Sequence, residues 1–143
     1  MSASQENTIK VWDIEKFMDK DYDYSQPEVI VKQASLTIMA HQKYINVAKF
    51  SPNDKIIATS SQDKTVKLWS AKDLQLLATL SGHRKNVWDF QFSPYDKQLV
   101  TASGDMLVKI WNIQSVSEKV TQNSNKPTCV ATLQGHQDQL VKV

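Results

Sequence analysis

A chain of 143 residues, 41% hydrophobic and 22% charged, has the size and balance of one ordinary soluble globular domain. Its net charge of +2 is too mild to imply a nucleic-acid or membrane partner, and no apolar run approaches the roughly 18 residues that span a bilayer. The single cysteine, Cys129, allows neither an intramolecular disulfide nor a Cys-based zinc site, and it suits a reducing intracellular compartment.

The chain opens on MSASQENTIKVWD, which has no basic stretch followed by an apolar core and is not a secretory signal. Glu6 and Trp12 in it begin a pattern that recurs. An acidic insertion follows at about 14–31, with Glu15, Asp19, Asp21, Asp23 and Glu28 against Lys16 and Lys20. It reads as a surface loop, either solvated and tolerated or part of a binding face.

The first complete copy starts at His41, with Asp63 22 residues later and Trp69 another 6 on. Alternation and turn residues predict strands over Ile45–Phe50, Ile56–Ser60, Thr65–Trp69 and Leu74–Leu80. Val66 and Leu68 fall on one face of the third, Thr65 and Trp69 on the other. Between the first two strands lies Ser51-Pro52-Asn53-Asp54, where Pro52 pre-sets φ for a type I turn.

The second copy starts at His83, 42 residues after His41, and reaches Asp105 and Trp111 at the same internal spacing. Its strands are predicted over Val87–Phe92, Leu99–Ser103 and Leu107–Trp111, with Ser93-Pro94-Tyr95-Asp96 as the matching turn. A polar insertion at about 114–126 precedes its last strand. Gly135 and His136 then open another copy.

A fixed period of this length means one unit repeated in tandem. Four short antiparallel strands per unit of about 40 residues describe a blade of a β-propeller, an all-β fold. No sustained period of 3.6 supports helices. The expected layout is a partial blade over 1–38, holding its last two strands, complete blades over 41–80 and 83–134, and the start of another over 135–143. Propellers close with roughly 4–8 blades. The sequence is therefore expected to be a piece of a longer protein, with unpaired edges at both ends.

The phrases Gly82-His83, Ser-Pro-x-Asp, Ser60-Ser61-Gln62-Asp63 and Val66-Lys67-Leu68-Trp69 resemble WD40 repeats. Trp12-Asp13 keeps the literal pair; Trp69-Ser70 and Trp111-Asn112 depart from it, Ala40 replaces glycine before His41, and Glu6 replaces the usual aspartate. INVAKFSPNDKIIATSSQDKTVKLW, GHRKNVWDFQFSPYDK and LVTASGDMLVKIW are further similar to the tandem-propeller WD40 subunit of the U3 small nucleolar ribonucleoprotein. That likeness implies a nucleolar, non-enzymatic scaffold of the small-subunit processome, acting in pre-rRNA processing toward 18S rRNA. It implies other proteins of a large assembly as partners, processome WD40 subunits among them. Association with U3 RNA or pre-rRNA would be indirect, with no membrane and no small-molecule substrate involved. A WD40 adaptor of a ubiquitin ligase or chromatin assembly is the alternative.

Recurring His, Ser and Asp also raise a hydrolase triad. The resemblance assigns them instead to a structural tetrad: Trp69, Thr59 or Ser61, His41 and Asp63 in one unit, and Trp111, Thr101 or Ser103, His83 and Asp105 in the next. A nucleophilic site is singular, set in a pocket and backed by an oxyanion hole, whereas this constellation repeats. Three histidines spaced by 42 and 53 residues sit in different blades and do not converge on a metal. No glycine-rich phosphate loop is present, so no cofactor is expected. Trp88, Phe90 and Phe92 read as strand packing, with one of them able to face a neighbouring blade's rim. Lys43, Arg84 and Lys85 follow the two Gly/Ala-His pairs and are the candidate partner contacts, for an acidic protein surface or RNA phosphate.

Overall fold

A computed structural model describes residues 1–4, 6–14, 33–95, 97–117 and 126–143. The acidic insertion lies almost wholly outside the described residues, as does most of the polar one. The described elements are eleven strands and one short helix: β1 (Ser2–Ala3), β2 (Thr8–Val11), β3 (Leu36–Met39), β4 (Ile45–Phe50), β5 (Ile56–Ser61), β6 (Val66–Ser70), β7 (Leu76–Leu80), β8 (Val87–Phe92), β9 (Gln98–Ser103), β10 (Leu107–Asn112), α1 (Gln114–Ser117) and β11 (Thr128–Gln134).

They form three antiparallel sheets in chain order: β1-β2-β3, β4-β5-β6-β7 and β8-β9-β10-β11. The second and third sheets are copies down to their irregularities. Register shifts fall between Ile45 and Val47 and between Leu68 and Trp69 in one. The other has them between Val87 and Asp89 and between Ile110 and Trp111. The Ser-Pro turns also match. Ser51 Oγ accepts the Ile56 amide at 3.0 Å, and Ser93 Oγ accepts the Gln98 amide at 3.1 Å. The Asp54 amide closes its turn on the Ser51 carbonyl at 2.9 Å.

Period-2 alternation gives the second sheet two apolar faces, and each face packs on a neighbour. Ile56, Ala58, Val66, Leu68 and Leu80 meet Val87, Phe90, Phe92, Leu99, Trp111 and Ile113 of the third sheet. The opposite face places Ile57, Trp69 and Leu74 against Ile9 and Ala40 of the first. Phe90 and Phe92 meet edge to face, with centroids 5.9 Å apart. This is the face-to-face stacking of propeller blades. Gly82 has φ +143°, a conformation that side chains avoid, and a Cβ there would also meet Trp111 Cη2 at 3.5 Å.

Four details depart from the sequence reading. The first sheet has three strands, because Ser2–Ala3 pairs with Ile9–Lys10; a two-residue strand carries no alternation to read. The fourth strand of the second sheet starts at Leu76, because Leu74 adopts φ +56° in a turn closed on the Ser70 carbonyl. Gln114–Ser117 form a short helix where the polar insertion begins. Residues 135–143 form no strand, and the Val143 amide instead donates to Asp89 Oδ2 at 3.1 Å.

Candidate functional site

Each four-stranded sheet contains one buried chain of hydrogen bonds from indole to carboxylate. In the second sheet, Trp69 Nε1–H donates to Thr59 Oγ1 at 2.9 Å, and Thr59 Oγ1 lies 2.7 Å from His41 Nε2. His41 Nδ1 is 2.8 Å from Asp63 Oδ2. In the third sheet the matching distances are 3.0 Å from Trp111 to Thr101, 2.8 Å from Thr101 to His83, and 3.0 Å from His83 to Asp105 Oδ2. One tautomer satisfies every group: Nδ1–H donates to the carboxylate, and Nε2 accepts the threonine hydroxyl.

Electrostatics agree with a neutral ring. Burial holds the pKa of both histidines below the ordinary imidazole value, outweighing the upward pull of Asp63 and Asp105. Burial also pushes the two aspartates up, but hydrogen bonds outweigh it and leave both below the usual carboxylate range. For Asp63 the main donors are Thr65 and His41; for Asp105 they are the Arg84 amide and His83.

Of the alternative hydroxyls, Thr59 and Thr101 carry the chain of bonds, and Ser61 and Ser103 do not. The serines sit one pleat nearer the turn, beyond the imidazole. Their Oγ atoms donate to the carbonyls of Lys43 and Lys85 and accept the amides of Asp63 and Asp105. Thr65 is an additional contributor that its repeat partner Leu107 does not match. Its hydroxyl donates to Asp63 Oδ1 at 2.6 Å; the signal was the Asp-x-Thr spacing. The first sheet holds a reduced version, in which Trp12 Nε1 donates to Ser2 Oγ at 2.9 Å and the Glu6 amide donates to Ser4 Oγ at 3.2 Å.

Thr–His–Asp order is also the order of a nucleophilic triad. Here the hydroxyls of Thr59 and Thr101 are wholly buried, at 0% exposure, and each already accepts an indole N–H. A substrate carbonyl has no path to either oxygen. No cluster of three or more His, Cys, Asp or Glu side chains suited to a metal occurs among the described residues.

Two of the three basic candidates come together and one does not. Arg84 and Lys85 line a shallow cavity of about 280 Å³ with Lys64, Asn86, Trp88, Gly104 and Gln139; Lys43 is not part of it. Sequence reasoning missed Lys64, Asn86, Gly104 and Gln139. The available signal was divergence between copies: 42 residues earlier, Gly104 corresponds to Gln62 and Trp88 to Asn46.

Two stretches, residues 32–70 and 74–112, match the family described as WD domain, G-beta repeat. The chain belongs to the WD40 repeat family. It is 42% identical over 80 residues to U3 small nucleolar RNA-associated protein 13 of Saccharomyces cerevisiae, covering 56% of this chain and 9% of that one. Transducin beta-like protein 3 of Rattus norvegicus is 40% identical over 77 residues, covering 54% of this chain and 10% of the relative. Among solved structures, that of U3-55K aligns with a TM-score of 0.73 at 26% identity, over 99% of this chain and 37% of that one. The WD40 chain thus spans about a tenth of the length of these curated relatives.

Proposed function

We propose that this WD40 chain is part of a non-enzymatic interaction scaffold of the U3 small nucleolar ribonucleoprotein and small-subunit processome, working in pre-rRNA processing toward 18S rRNA. The observation that carries the reading is agreement between a sequence relative and a structural neighbour that are both named for U3. Its site of action is then the nucleolus. Its partners are other proteins of the assembly, and contact with U3 RNA or pre-rRNA is indirect. Residues 1–38, 41–80, 83–134 and 135–143 serve as successive blades, complete or partial, of a longer protein.

In this reading His41, Thr59, Asp63 and Trp69, and His83, Thr101, Asp105 and Trp111, are braces rather than chemistry. Ser61 and Ser103 secure the adjoining turns. The sealed threonine hydroxyls and the repetition of the arrangement support a scaffold over a hydrolase. Lys43, Arg84 and Lys85 contact partners at the rim.

The test is affinity purification of the full-length protein from cells, followed by RNA and protein identification. Enrichment of U3 RNA with processome proteins is the expected result. Recovery of ubiquitin-ligase or chromatin-assembly subunits without U3 RNA would overturn it.

A further inference from the structure

The cavity beside Arg84 and Lys85 falls where four lining residues, Arg84, Asn86, Trp88 and Gly104, break the 42-residue correspondence with Gln42, Tyr44, Asn46 and Gln62. Its floor is Gly104, which is buried. A Cβ at that position would lie 3.2 Å from Trp88 Nε1 and 3.5 Å from Gln139 Oε1. With no side chain at Gly104, the indole nitrogen lies beside Gln139 without a hydrogen-bond partner. In the preceding repeat the matching residues are Gln62, which carries a long side chain, and Asn46, whose Nδ2 is already spent on the Val87 carbonyl at 2.8 Å. Trp88 Nε1, by contrast, is buried and has no hydrogen-bond partner.

Most of the lining donates. Lys64, Arg84 and Lys85 are cations that only donate, the indole only donates, and the side-chain amides of Asn86 and Gln139 can each donate or accept. No carboxylate lines the cavity among the described residues. Of the four carboxylates adjacent to lining residues along the chain, Asp63 and Asp105 are committed to His41 and His83, Asp89 pairs with Lys49, and Asp138 accepts the Gln139 amide. Three cations around an unsatisfied N–H call for an anionic acceptor.

We infer that this cavity receives the side-chain carboxylate of an acidic segment on a partner protein, bound by Arg84, Lys85 and Lys64 and oriented by the Trp88 indole. RNA is disfavoured because its binding grows with the number of phosphates neutralised along a basic track. Here three cations surround one small cavity on a chain of net charge +2. The inference rests on the scaffold reading and names the chemistry of its partner.

The probe is a fluorescein-labelled hexaglutamate peptide, titrated against the full-length protein by anisotropy, with hexaglutamine and hexauridylate RNA alongside. Hexaglutamate is expected to bind and to shift one indole N–H resonance, the one that Trp88→Phe removes. Gly104→Gln, which restores the first repeat's residue, should weaken binding at least about tenfold. Trp88→Phe should weaken it about five- to tenfold, the scale of one charge-assisted hydrogen bond. Lys72→Ala, which removes a cation outside the cavity, should leave it unchanged. Thermal melting of each variant reports whether it folds, and Trp88→Phe decides the matter should Gly104→Gln melt early. Equal affinity for wild type and Trp88→Phe, equal binding of hexaglutamine, or tighter binding of hexauridylate overturns the site. Failure of hexaglutamate to bind sinks this inference and leaves recovery of U3 RNA untouched. Loss of U3 RNA with hexaglutamate binding intact would instead sink the scaffold assignment alone.

Discussion

The second and third sheets share a brace and part company at the rim. Along the path from Trp to Asp the two copies agree within 0.2 Å at every comparable hydrogen bond (2.9 and 3.0 Å, 2.7 and 2.8 Å, 2.8 and 3.0 Å). At the end that carries Gly104 and Trp88 they keep the same backbone bonds, from Gln62 to Tyr44 and from Gly104 to Asn86, but differ in the side chains at those positions and at Asn46 and Trp88. In a tandem repeat, what every copy keeps serves the fold of the copy, and what one copy alone has is free to serve a partner. His, Ser and Asp are the conspicuous side chains, yet they are the repeated ones. The singular ones are a glycine and a tryptophan with an unpaired N–H.

The largest effect should come from breaking a brace. His83→Ala leaves Thr101 and Asp105 buried without their central partner, and a loss of about 3 kcal/mol of folding stability is expected. His41→Ala should cost somewhat less, because Asp63 keeps the Thr65 hydroxyl and amide, whereas Asp105 has Leu107 at the matching position and no such hydroxyl. Urea denaturation of both variants checks the ranking. Near-zero loss in either would break the equivalence of the two sheets. A well-folded His83→Ala protein that had lost a catalytic activity would revive the hydrolase reading.

A pH titration asks the same question without mutation. Both histidines have folded pKa values lowered by burial from 6.5, so below pH 6.5 the unfolded chain binds more protons than the native one. Stability is therefore complete above that pH and falls as the solution is acidified toward the lowered values. Each histidine can contribute a slope of at most about 1.4 kcal/mol per pH unit. The aspartates, lowered from 3.8, withdraw further stability at more acidic pH. Removing either histidine should remove about half of the slope that begins near pH 6.5. A stability curve flat from pH 7 to 5 would exclude neutral buried rings in both sheets.

The fold was legible wherever alternation ran long enough. The spans of β4 and β8 coincide with the apolar runs ending in Phe50 and Phe92, because each run closes on a Ser-Pro turn. Leu74 misled because an apolar residue in a left-handed turn looks the same in sequence as the first residue of a strand. The brace was legible as a set of residue types but not as a path. Thr59 and Ser61 share a strand face, and only the height of the imidazole chooses between them. The cavity was legible only as its two basic residues, Arg84 and Lys85, and not as a shape. It joins Lys64 from one repeat to Arg84 and Gly104 from the next, across sheets whose packing no local pattern encodes.

The seam between the sheets offers a smaller perturbation. Lys49 reaches from β4 to β8, where Nζ lies 3.1 Å from Asp89 Oδ1, donates to the Phe90 carbonyl at 2.8 Å, and sits 5.4 Å from the Phe90 ring centroid. Its repeat counterpart is Gln91, so this clasp is particular to one junction. Lys49→Met keeps the stem and removes the charge, leaving Asp89 with backbone donors alone. A loss of about 1–2 kcal/mol is expected by denaturant titration, below the figure for a fully buried pair because the lysine is partly exposed. If the loss matches that of His83→Ala, the junctions hold the fold as strongly as the braces do.

The smallest effect tests how far the repeats are equivalent in backbone as well as in side chain. Asn7, Lys64 and Met106 occupy the same position of the three turns and all adopt left-handed φ values of 65°, 75° and 67°. Asparagine tolerates that region and the other two side chains do not. Met106→Asn should therefore stabilise the third sheet by about 0.5 kcal/mol, a fraction of the left-handed penalty of roughly 1–2 kcal/mol. Lys64→Asn should gain a similar amount and also remove a cation from the cavity. The pair separates backbone from site: both variants raise the melting temperature, and only Lys64→Asn weakens hexaglutamate binding. Equal weakening by Met106→Asn would mean that the turn, and not the charge it carries, shapes the rim.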